Sequence, residues 1–423
     1  MQVLNWDKQT QKKVQRDYAQ VFDKDVFKKV SRILAEVRDR GDLAIRRYTR
    51  EFDGLDLPLK RIRVSQGDIN RAFEKIQVQF VPMLRRISEN AKEYYEKELK
   101  QTFEVRGEHG VYLSKRYQAL ERVGMYIPGG TAPLVSTVYM AVIPARVAGV
   151  KEIVICTPPN RDTGEIDPHI LAVANLLGVN EIYRVGGAQA IGAMAFGTRT
   201  IKKVDKIVGP GNQYVTEAKR QVYGFVDIDM VAGPSEVAVI ADASADQDYV
   251  TCDLLAQSEH HGGIAYLVTP SKKLIEAIRK RVDSGFIIQV KSLQEACEAV
   301  NVIAPEHLEI LAEDPEKLVK NIMHAGAIFL GPYSPVVVGD YIAGPSHVLP
   351  TGGTARYFSP LSASSFVKSS QIISYTKEAL QQGREHVQKL TEMEGLVLHR
   401  ISLEARFVDK NSSAEKEEKV EKV

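Results

Sequence analysis

Cysteine is scarce in this chain, with three residues among 423, and the three are widely separated. Cys156, Cys252 and Cys297 are too few and too scattered for a disulfide framework or for a zinc site built on thiolates. We therefore expect reduced thiols. Cys156 falls in a predicted strand and Cys252 in a predicted helix, so both are interpreted as packing residues, while Cys297 lies on a predicted helix away from every motif described below. A thiol nucleophile is accordingly disfavoured.

Long apolar runs and an excess of one charge are missing as well. The most apolar stretch, residues 135–150, is interrupted by Ser, Thr, Pro and Arg and is shorter than the ~20 residues that cross a bilayer. The first residues lack the apolar core of a signal peptide. With 56 basic and 54 acidic side chains the formal charge is +2, and no basic stripe is interleaved with aromatic residues. The sequence thus predicts a cytoplasmic protein that binds neither nucleic acid nor membranes.

The pattern of apolar residues changes along the chain, which is long enough for two or three domains. Residues 1–115 are predicted to be mostly helical, because apolar residues recur every three or four positions, with one short strand near 61–65. From residue 126 onward helices and short apolar strands alternate, which indicates parallel sheets with helices on both faces. Predicted strands cover 152–156, 181–185, 206–208, 237–240, 265–268, 287–290, 307–311 and 327–330. Predicted helices cover 136–148, 168–177, 246–259, 272–283, 293–300 and 315–323.

A short internal repeat supports this alternation. The run Ala148-Gly149-Val150-Lys151-Glu152-Ile153 resembles Leu177-Gly178-Val179-Asn180-Glu181-Ile182. In each copy a glycine ends a helix and a β-branched run starts a strand. The predicted fold class is therefore α/β, with two doubly wound regions after a helical N-terminal part. The tail at 409–423 is mostly Glu, Lys, Ser and Val and is predicted to be disordered or a frayed helix.

Two pairs of polar side chains are candidates for chemistry. Gln257 and His260 lie three residues apart at a predicted helix end, so they share a face and can offer an amide oxygen and an imidazole to a metal ion. Glu306 and His307 follow Pro305 at a predicted strand entrance, where both side chains can reach a cleft. An imidazole is well suited to accept protons near neutral pH. Taken alone, such pairs are more often solvated helix ends or capped turns.

Two further segments carry polar side chains among residues that bend the chain. The Gly/Pro-rich stretch 339–353 contains Asp340 and His347, and long loops of this kind often hold function. Near the C-terminus, residues 394–399 contain Glu394 and His399. Taken alone, these segments also fit an ordinary loop and a surface helix end.

Glycine-rich loops follow three predicted strands, at residues 126–131, 185–190 and 209–212. The carboxyl ends of parallel strands are where open α/β sheets bind ligands, and glycine lets a backbone approach a cofactor. None of these loops, however, has the G-x-G-x-x-G spacing of the ordinary dinucleotide fingerprint. By themselves they indicate no more than a ligand of nucleotide size.

Together these motifs resemble the L-histidinol dehydrogenase family from about residue 25 to residue 406. One departure is Leu398, where the family usually has a small residue before His399, with Arg400 following; the tail beyond Arg406 has no clear counterpart. The strings that carry the resemblance are VGMYIPGGTAPLVSTVYM, VGGAQAIGAMAFGT, KIVGPGNQYVTEAKRQV, DMVAGPSEVAVIAD, LLAQSEH, APEHLEI, GDYIAGPSHVLPTGGTAR and EGL-x-x-H.

The resemblance implies an organisation into incomplete Rossmann-type domains. It gives an N-terminal arm at 1–24, a first domain of 25–125 plus 241–360, a second domain on the NAD side at 126–240, and a C-terminal extension at 361–408. The extension is expected to be exchanged between the subunits of a homodimer, so that the active sites are shared.

The resemblance also implies NAD and one zinc ion per subunit. The zinc ligands it implies are Gln257, His260, Asp340 and His399, with His399 contributed by the partner subunit. The implied catalytic pair is Glu306 and His307, and the implied NAD contacts are Tyr126, Gln189 and Asn212. The implied substrate contacts are Ser235, Gln257, His260, His307, Asp340, His347, Glu394 and His399.

The activity that the resemblance implies is oxidation of L-histidinol to L-histidine through histidinal, with two NAD, as the final step of histidine biosynthesis. We interpret His307 as the base in both oxidations and Glu306 as the group that activates water, with zinc mainly orienting the substrate. The alternatives are a relative that oxidises another small primary alcohol, a zinc hydrolase and a non-catalytic metal-dependent dimer. The glycine loops argue against a hydrolase.

Overall fold

The computed structural model describes residues 1–15, 23–129, 133–260 and 262–408. These residues form two compact units, one of residues 1–99 and 119–367 and one of residues 100–118 and those from 368 onward. His261, part of the first glycine loop and the predicted tail at 409–423 lie outside the described residues. The strands are β1 Gln2–Asn5, β2 Phe103–Arg106, β3 Tyr112–Ala119, β4 Arg122–Tyr126, β5 Glu152–Thr157, β6 Glu181–Arg184, β7 Lys206–Val208, β8 Asp227–Ile228, β9 Glu236–Ala241, β10 Ile264–Thr269, β11 Phe286–Gln289, β12 His307–Leu311, β13 Ala327–Leu330 and β14 Val367–Ser374.

The helices connect these strands and cover their faces. They are α1 Lys8–Val14, α2 Lys24–Arg40, α3 Asp42–Asp53, α4 Leu59–Ile62, α5 Gln66–Phe73, α6 Phe80–Glu98, α7 Val135–Val147, α8 Pro168–Leu176, α9 Gly187–Phe196, α10 Gln213–Val222, α11 Gln247–Ala256, α12 Lys272–Ile278, α13 Leu293–Ile303, α14 Pro315–Val319, α15 Val336–Tyr341, α16 Lys377–Met393 and α17 Val397–Glu404. None of the helices among the described residues combines the length and apolar content needed to cross a membrane.

The first unit contains two parallel sheets with the same strand order. The first sheet runs β1-β11-β10-β9-β12-β13, and the second sheet runs β6-β5-β4-β7-β8. If β4 and β9 are each numbered 1 and the later strands follow in chain order, both sheets contain the order 3-2-1-4-5. This is the doubly wound order 3-2-1-4-5-6 of dinucleotide-binding folds without its sixth strand. Nearly every residue of the central strands is buried, as expected when helices cover both faces. The predicted α/β class with doubly wound regions is confirmed.

The internal repeat found in the sequence forms the same local structure twice. Gly149 and Gly178 both adopt positive φ angles, 94° and 75°, which glycine reaches without steric cost. After each, the amide of the next residue bonds back five positions, Val150 N to Ala145 O at 3.0 Å and Val179 N to Ala174 O at 2.8 Å. This pattern closes a helix and releases the chain into a strand. The repeat therefore marks two consecutive helix-to-strand joints of one sheet.

The second unit combines a three-stranded sheet with a helical hairpin. The sheet has the order β14-β3-β2, with β2 antiparallel to β3. Arg384 and Gln388 on α16 both donate hydrogen bonds to the carboxylate of Glu404 on α17, which ties the two helices together. Many apolar side chains of this unit stay exposed within the chain, including Leu390, Met393, Val397, Leu398 and Ile401.

The N-terminal quarter is mostly helical, as predicted, but it also contains strands: β1, β2 and the start of β3 lie within residues 1–115. Gln2–Asn5, which falls in the expected N-terminal arm, pairs with β11 at the edge of a sheet. One prediction there was wrong. The predicted strand at 61–65 is the short helix α4 followed by a single bridge between Arg63 and Tyr183. Short edge strands are specified by a distant partner rather than by local periodicity.

The division into domains proposed from the resemblance stays a prediction. The strand pairing bears on the boundary expected between residues 240 and 241. Strand β9, Glu236–Ala241, pairs with β10 and β12 and so belongs to their sheet rather than to the sheet formed by strands of residues 122–228. Cys156 and Cys297 are buried, as expected for packing residues. The interpretation of Cys252 as a packing residue was wrong, because it lies on the exposed side of α11.

Candidate active site

His307 is the first residue of β12 and is buried, with 5% of its surface exposed. Its Nδ1 lies 3.0 Å from the carbonyl oxygen of Glu236 on the neighbouring strand, which makes Nδ1 the protonated nitrogen. Its Nε2 is buried and has no hydrogen-bond partner among the described residues. Nε2 is therefore the ring nitrogen that is free to exchange a proton with a bound ligand.

Two carboxylates flank the His307 ring. The Glu306 Oε2 atom lies 3.6 Å from Nδ1, and the Asp340 Oδ1 atom lies 3.7 Å from Nε2. Burial disfavours the charged imidazolium, but Glu306 and Asp340 outweigh burial and raise the pKa of His307 to about 9. A cation bound to the Asp340 carboxylate would counteract this rise in the pKa of His307 and favour its neutral imidazole.

Glu306 is held at the strand entrance by polar groups from the adjacent strand. Ser235 Oγ donates to its Oε2 at 2.6 Å, and the amide of Glu236 donates to the same atom at 3.0 Å. Burial raises the pKa of Glu306, although His307 and Ser235 limit the rise. Such a carboxylate is a stronger base than an exposed one. Ala304, with φ of 50°, ends α13 in the left-handed conformation and turns the chain into this entrance.

Asp340 and His347 are brought together by α15 and the loop that follows it. The His347 Nδ1 lies 3.1 Å from the backbone oxygen of Asp340, and its Nε2 lies 3.3 Å from Thr137 Oγ1. Burial lowers the pKa of His347, which keeps the ring neutral. Burial opposes ionisation of Asp340, but the nearby His307 ring outweighs burial and lowers the pKa of Asp340. Asp340 is thus a carboxylate among imidazoles.

Gln257 and His260 lie at the end of α11, in a 3-10 turn of Gln257–Glu259. The His260 amide donates to Gln257 O at 3.3 Å, and Gly263 N donates to His260 O at 2.9 Å, so the turn is closed on itself. Gln257 is buried with its Nε2 unpartnered among the described residues, whereas His260 is exposed and close enough to Asp340 to lower its pKa. The predicted helix end is confirmed.

This donor set fits a metal ion that takes a further ligand from elsewhere. Within the described part of the chain, no group of three His, Cys, Asp or Glu side chains could hold a metal ion. The set Gln257, His260 and Asp340 contains two such residues and one amide, so by itself it falls short of the usual four ligands. An imidazole from a second chain would complete it.

Two of the glycine loops follow β4 and β7, which flank the switch point of the second sheet, where open α/β sheets bind ligands, and the third follows β6. Tyr126 ends β4, and its hydroxyl accepts a hydrogen bond from Gly187 N at 3.1 Å. Gly209 follows β7 with φ of 119°, and an added Cβ there would overlap the Tyr126 carbonyl oxygen. Gln189 is buried with its Oε1 unpartnered among the described residues. Asn212 accepts from the amides of Tyr214 and Val215 and so begins α10.

A buried ion pair behind the Gly209 loop was missed in the sequence. Lys219 Nζ donates to Gly209 O at 2.9 Å, and Gly209 N donates to Asp229 Oδ2 at 2.8 Å. Lys219 and Asp229 also pair directly, with 3% and 0% of their side chains exposed. The pair therefore holds both backbone polar groups of one residue, Gly209, as a clamp. Both residues lie inside motif strings, but nothing in their spacing indicated that they would meet.

The residues around His307 and those of the Gly209 loop border one cavity of about 220 Å³. Ser235, His260, Glu306, His307 and Asp340 line it together with the Gly209–Gly211 loop and with Thr137 and His347. A second cavity, of about 720 Å³, is also lined by His307, Asp340 and His347, and reaches Tyr94 and Glu98 on α6. Such volumes suit small ligands. The larger cavity was not anticipated from the sequence.

Glu394 and His399 belong to the second unit. Glu394 ends α16, His399 lies on α17, and both are exposed within the chain. The first unit by itself brings Ser235, His260, Glu306, His307, Asp340 and His347 around one cavity, while Gln257 lies three residues before His260 and does not line it. The roles of Glu394 and His399 stay predictions.

The fold and this site define a class of protein. A base between carboxylates, facing a doubly wound sheet whose switch point carries glycine loops, is the arrangement of an α/β enzyme that moves protons beside a nucleotide-sized cofactor. Comparisons with known proteins specify the class further. The sequence model of the family described as histidinol dehydrogenase matches residues 16–407.

Relatives and solved structures agree with that match. The chain is 45% identical to the histidinol dehydrogenase of Bacillus cereus over 93% of this chain and 96% of the relative. It is 45% identical to that of Clostridium acetobutylicum over 90% of this chain and 93% of the relative. The crystal structure of histidinol dehydrogenase from Elizabethkingia anophelis superposes with a TM-score of 0.90 and 36% identity, covering 96% of this chain and 98% of that one.

The chain belongs to the histidinol dehydrogenase family. The family consists of NAD-linked oxidoreductases of histidine biosynthesis that act on histidinol and use one zinc ion per subunit. The expectations for family, enzyme class and cofactors are therefore confirmed, and the alternative of a different primary alcohol is not favoured.

Proposed function

We propose that this chain oxidises L-histidinol to L-histidine with His307 as the base in both steps and Glu306 as the base for water. The observation that carries the proposal is the free Nε2 of His307, which borders a cavity shared with the Gly209–Gly211 loop. NAD supplies the hydride acceptor in both oxidations. In each, Nε2 takes a hydroxyl proton as the hydride leaves the neighbouring carbon, so alcohol becomes aldehyde and hydrated aldehyde becomes acid.

Between the two oxidations one water molecule adds to the aldehyde. Glu306 has the position and basicity to take its proton, because burial raises its pKa and Ser235 holds its carboxylate. The aldehyde stays bound between the steps, since a free aldehyde reacts with amines. Base catalysis of this kind contributes ~10²–10⁴-fold to the rate.

Zinc would be held by Gln257, His260 and Asp340 of one chain and His399 of a second copy. Bound there, a zinc ion orients the substrate, and its charge offsets that of Asp340, which favours the neutral form of His307. Similar ligands also accept manganese and cobalt. Ser235 and His347, which line the cavity, and Glu394 would contact the polar ends of histidinol, alongside the metal ligands and His307.

For the cofactor, we place Tyr126, Gln189 and Asn212 as the contacts to NAD. Tyr126 and Asn212 border the β4–β7 switch point, and Gln189 offers a buried carbonyl oxygen without a partner among the described residues. The lack of a G-x-G-x-x-G loop implies a weaker grip on the pyrophosphate than in complete Rossmann domains.

The proposed assembly is a cytoplasmic homodimer in which the second unit crosses to the partner. Exposed apolar side chains on α16 and α17 support this, because contiguous apolar patches mark interfaces. Met393 is 83% and Leu398 is 78% exposed within the chain. The same unit carries His399, so a dimer would deliver the missing ligand.

The decisive experiment counts NADH formed per histidinol consumed, with and without a chelator. We expect two NADH per histidinol and loss of turnover after zinc removal, with recovery on adding zinc back. One NADH per substrate would limit the chain to alcohol oxidation. Absence of NADH with a zinc-loaded dimer would support a hydrolase or a non-catalytic protein instead.

A further inference from the structure

A pair of carboxyl groups, buried Glu309 and half-buried Asp253, lies behind the active site and has no part in the mechanism above. Glu309 is 1% exposed in the middle of β12, two residues after His307, so the two side chains share one face of the strand. Asp253 on α11 is the carboxyl group whose charge acts most strongly on Glu309. A carboxyl group in a sheet interior requires a physical reason, since burial of a charge is costly.

Glu309 makes one contact that leads directly to the site. Its Oε1 accepts a hydrogen bond of 2.8 Å from the amide of Val336, the first residue of α15. Asp340 stands four residues further along that helix, on the same side as Val336. Through this bond Glu309 connects the strand that carries His307 to the helix that carries Asp340.

The remaining oxygen of Glu309 indicates how the pair is protonated. Glu309 Oε2 is buried and has no hydrogen-bond donor among the described residues. Two neighbouring carboxylates cannot both ionise in such a place, and burial together with Asp253 raises the pKa of Glu309 to about 8, while burial raises that of Asp253. Protonated Glu309 can donate to Asp253 through one oxygen and accept from Val336 through the other. Val239 and Phe329 flank it on the adjacent strands and His307 is the other titratable group facing it.

We propose that Glu309 and Asp253 share one proton and act as positioning residues, holding the start of α15 so that Asp340 faces both His307 and the metal. This inference rests on the proposed roles of Asp340 and His307. It predicts that the pair governs metal retention and kcat rather than the KM for NAD, because the Gly209 loop belongs to the other sheet.

Four substitutions test the hydrogen bond from both of its ends. Glu309→Gln keeps the acceptor for Val336 and supplies an N–H in place of the shared proton, so we expect zinc retention and kcat within about threefold of the wild type. Glu309→Met has a similar volume but neither group. Val336→Pro removes the amide donor at the first helical position, where proline is tolerated, and Val336→Ala keeps the donor as the matched control. We expect kcat to fall ~10–100-fold for Glu309→Met and Val336→Pro, as for a catalytic group displaced by about 1 Å.

Zinc retention provides a readout that is independent of turnover. Each dimer is dialysed against a graded series of EDTA concentrations, and bound zinc is measured by atomic emission. Glu309→Met and Val336→Pro should lose zinc at about tenfold lower EDTA than wild type, Glu309→Gln and Val336→Ala. The proposal is overturned if Glu309→Gln behaves like Glu309→Met, or if Val336→Pro retains both zinc and kcat. Should Glu309→Met fail to fold, the proline and glutamine variants still decide.

The result is separable from the proposed function. If His307→Asn turned over normally, the proposed mechanism would fail whatever the Glu309 variants did. If His307→Asn were inactive while Val336→Pro and Glu309→Met held zinc as tightly as the wild type, the positioning role alone would fail.

Discussion

The two parallel sheets share a strand order but contribute to the site from opposite edges. In the second sheet two of the glycine loops follow β4 and β7, at the carboxyl ends where open α/β sheets bind ligands. In the first sheet Ser235, Glu306 and His307 precede or begin β9 and β12, at the amino ends. Both edges border the same small cavity.

The same sheet architecture thus supports two tasks. At the carboxyl edge of the second sheet, backbone and glycine lie close to the cavity, which suits a large flat cofactor. At the amino-terminal ends of the strands of the first sheet, the side chains of Ser235, Glu306 and His307 reach the cavity from a turn or from the first residue of a strand. Buried neighbours there can shift the pKa of Glu306 and of His307. Adjacent strands hold these side chains at hydrogen-bonding distance, as for His307 Nδ1 and Glu236 O at 3.0 Å. We therefore expect variants of the first edge to change kcat and variants of the second to change the KM for NAD.

The largest effect is expected at the amino edge of the first sheet. His307→Asn removes the free Nε2 while leaving a polar side chain, so kcat should fall ~10²–10⁴-fold with the KM for histidinol changed little. Steady-state NADH production measures both constants, and exposed His386→Asn is the control. Turnover like that of the wild type would remove His307 from the role of base.

Glu306→Gln should slow the two oxidations to different extents. The water-dependent oxidation of histidinal is expected to slow ~10²-fold, and the oxidation of histidinol to slow less, because Gln keeps the shape but not the base. The two half-reactions are followed separately, with histidinal supplied as substrate for the second. Equal losses in both would contradict the division of labour between Glu306 and His307.

At the carboxyl edge of the second sheet, Lys219→Met tests the buried clamp. Removing the lysine leaves the Asp229 carboxylate buried without its partner, a change that costs about 3–5 kcal/mol of unfolding free energy. The loosened Gly209 loop should also raise the KM for NAD about tenfold, the equivalent of one lost hydrogen bond. Urea unfolding and NAD titration measure these effects.

Lys206→Met is the matched control for the clamp, because its partner Asp227 is 50% exposed and stays hydrated. A cost for Lys206→Met as large as for Lys219→Met would show that burial of the partner is not what matters. An unchanged KM for NAD in Lys219→Met would separate the clamp from cofactor binding.

The smallest effect on the KM for NAD is expected for two glycine-to-alanine changes, which separate backbone strain from steric overlap. Gly209 and Gly224 both have left-handed φ angles, 119° and 100°, but an added Cβ overlaps Tyr126 O at Gly209 and meets nothing within 4 Å at Gly224. Backbone strain should cost each alanine about 1–3 kcal/mol of stability, and the overlap with Tyr126 O should add to that cost in Gly209→Ala. The KM for NAD should rise in Gly209→Ala alone, by several-fold, as measured by NAD titration at saturating histidinol. A similar rise in Gly224→Ala would assign the effect to strain.

Sequence alone determined the α/β class, most of the central strands and the polar residues that the family motifs mark. These follow from local causes, such as the glycine that ends a helix at Gly149 and Gly178 and the β-branched runs after it. The edge strand Gln2–Asn5, the helix at 59–62 and the exposure of Cys252 could not be predicted, because each depends on a partner or a surface distant in the chain. Local periodicity carries no information about such partners.

The tertiary structure alone decided which of the marked residues meet, and how. The backbone oxygen of Glu236 accepts a hydrogen bond from His307, and a side-chain oxygen of Glu309 accepts one from the amide of Val336. The ion pair of Lys219 and Asp229 contacts both backbone polar groups of Gly209. No spacing in the sequence encodes these pairs, since their members lie between 10 and 71 residues apart. Burial gives them their strength, because a polar group removed from water must find its partner within the fold.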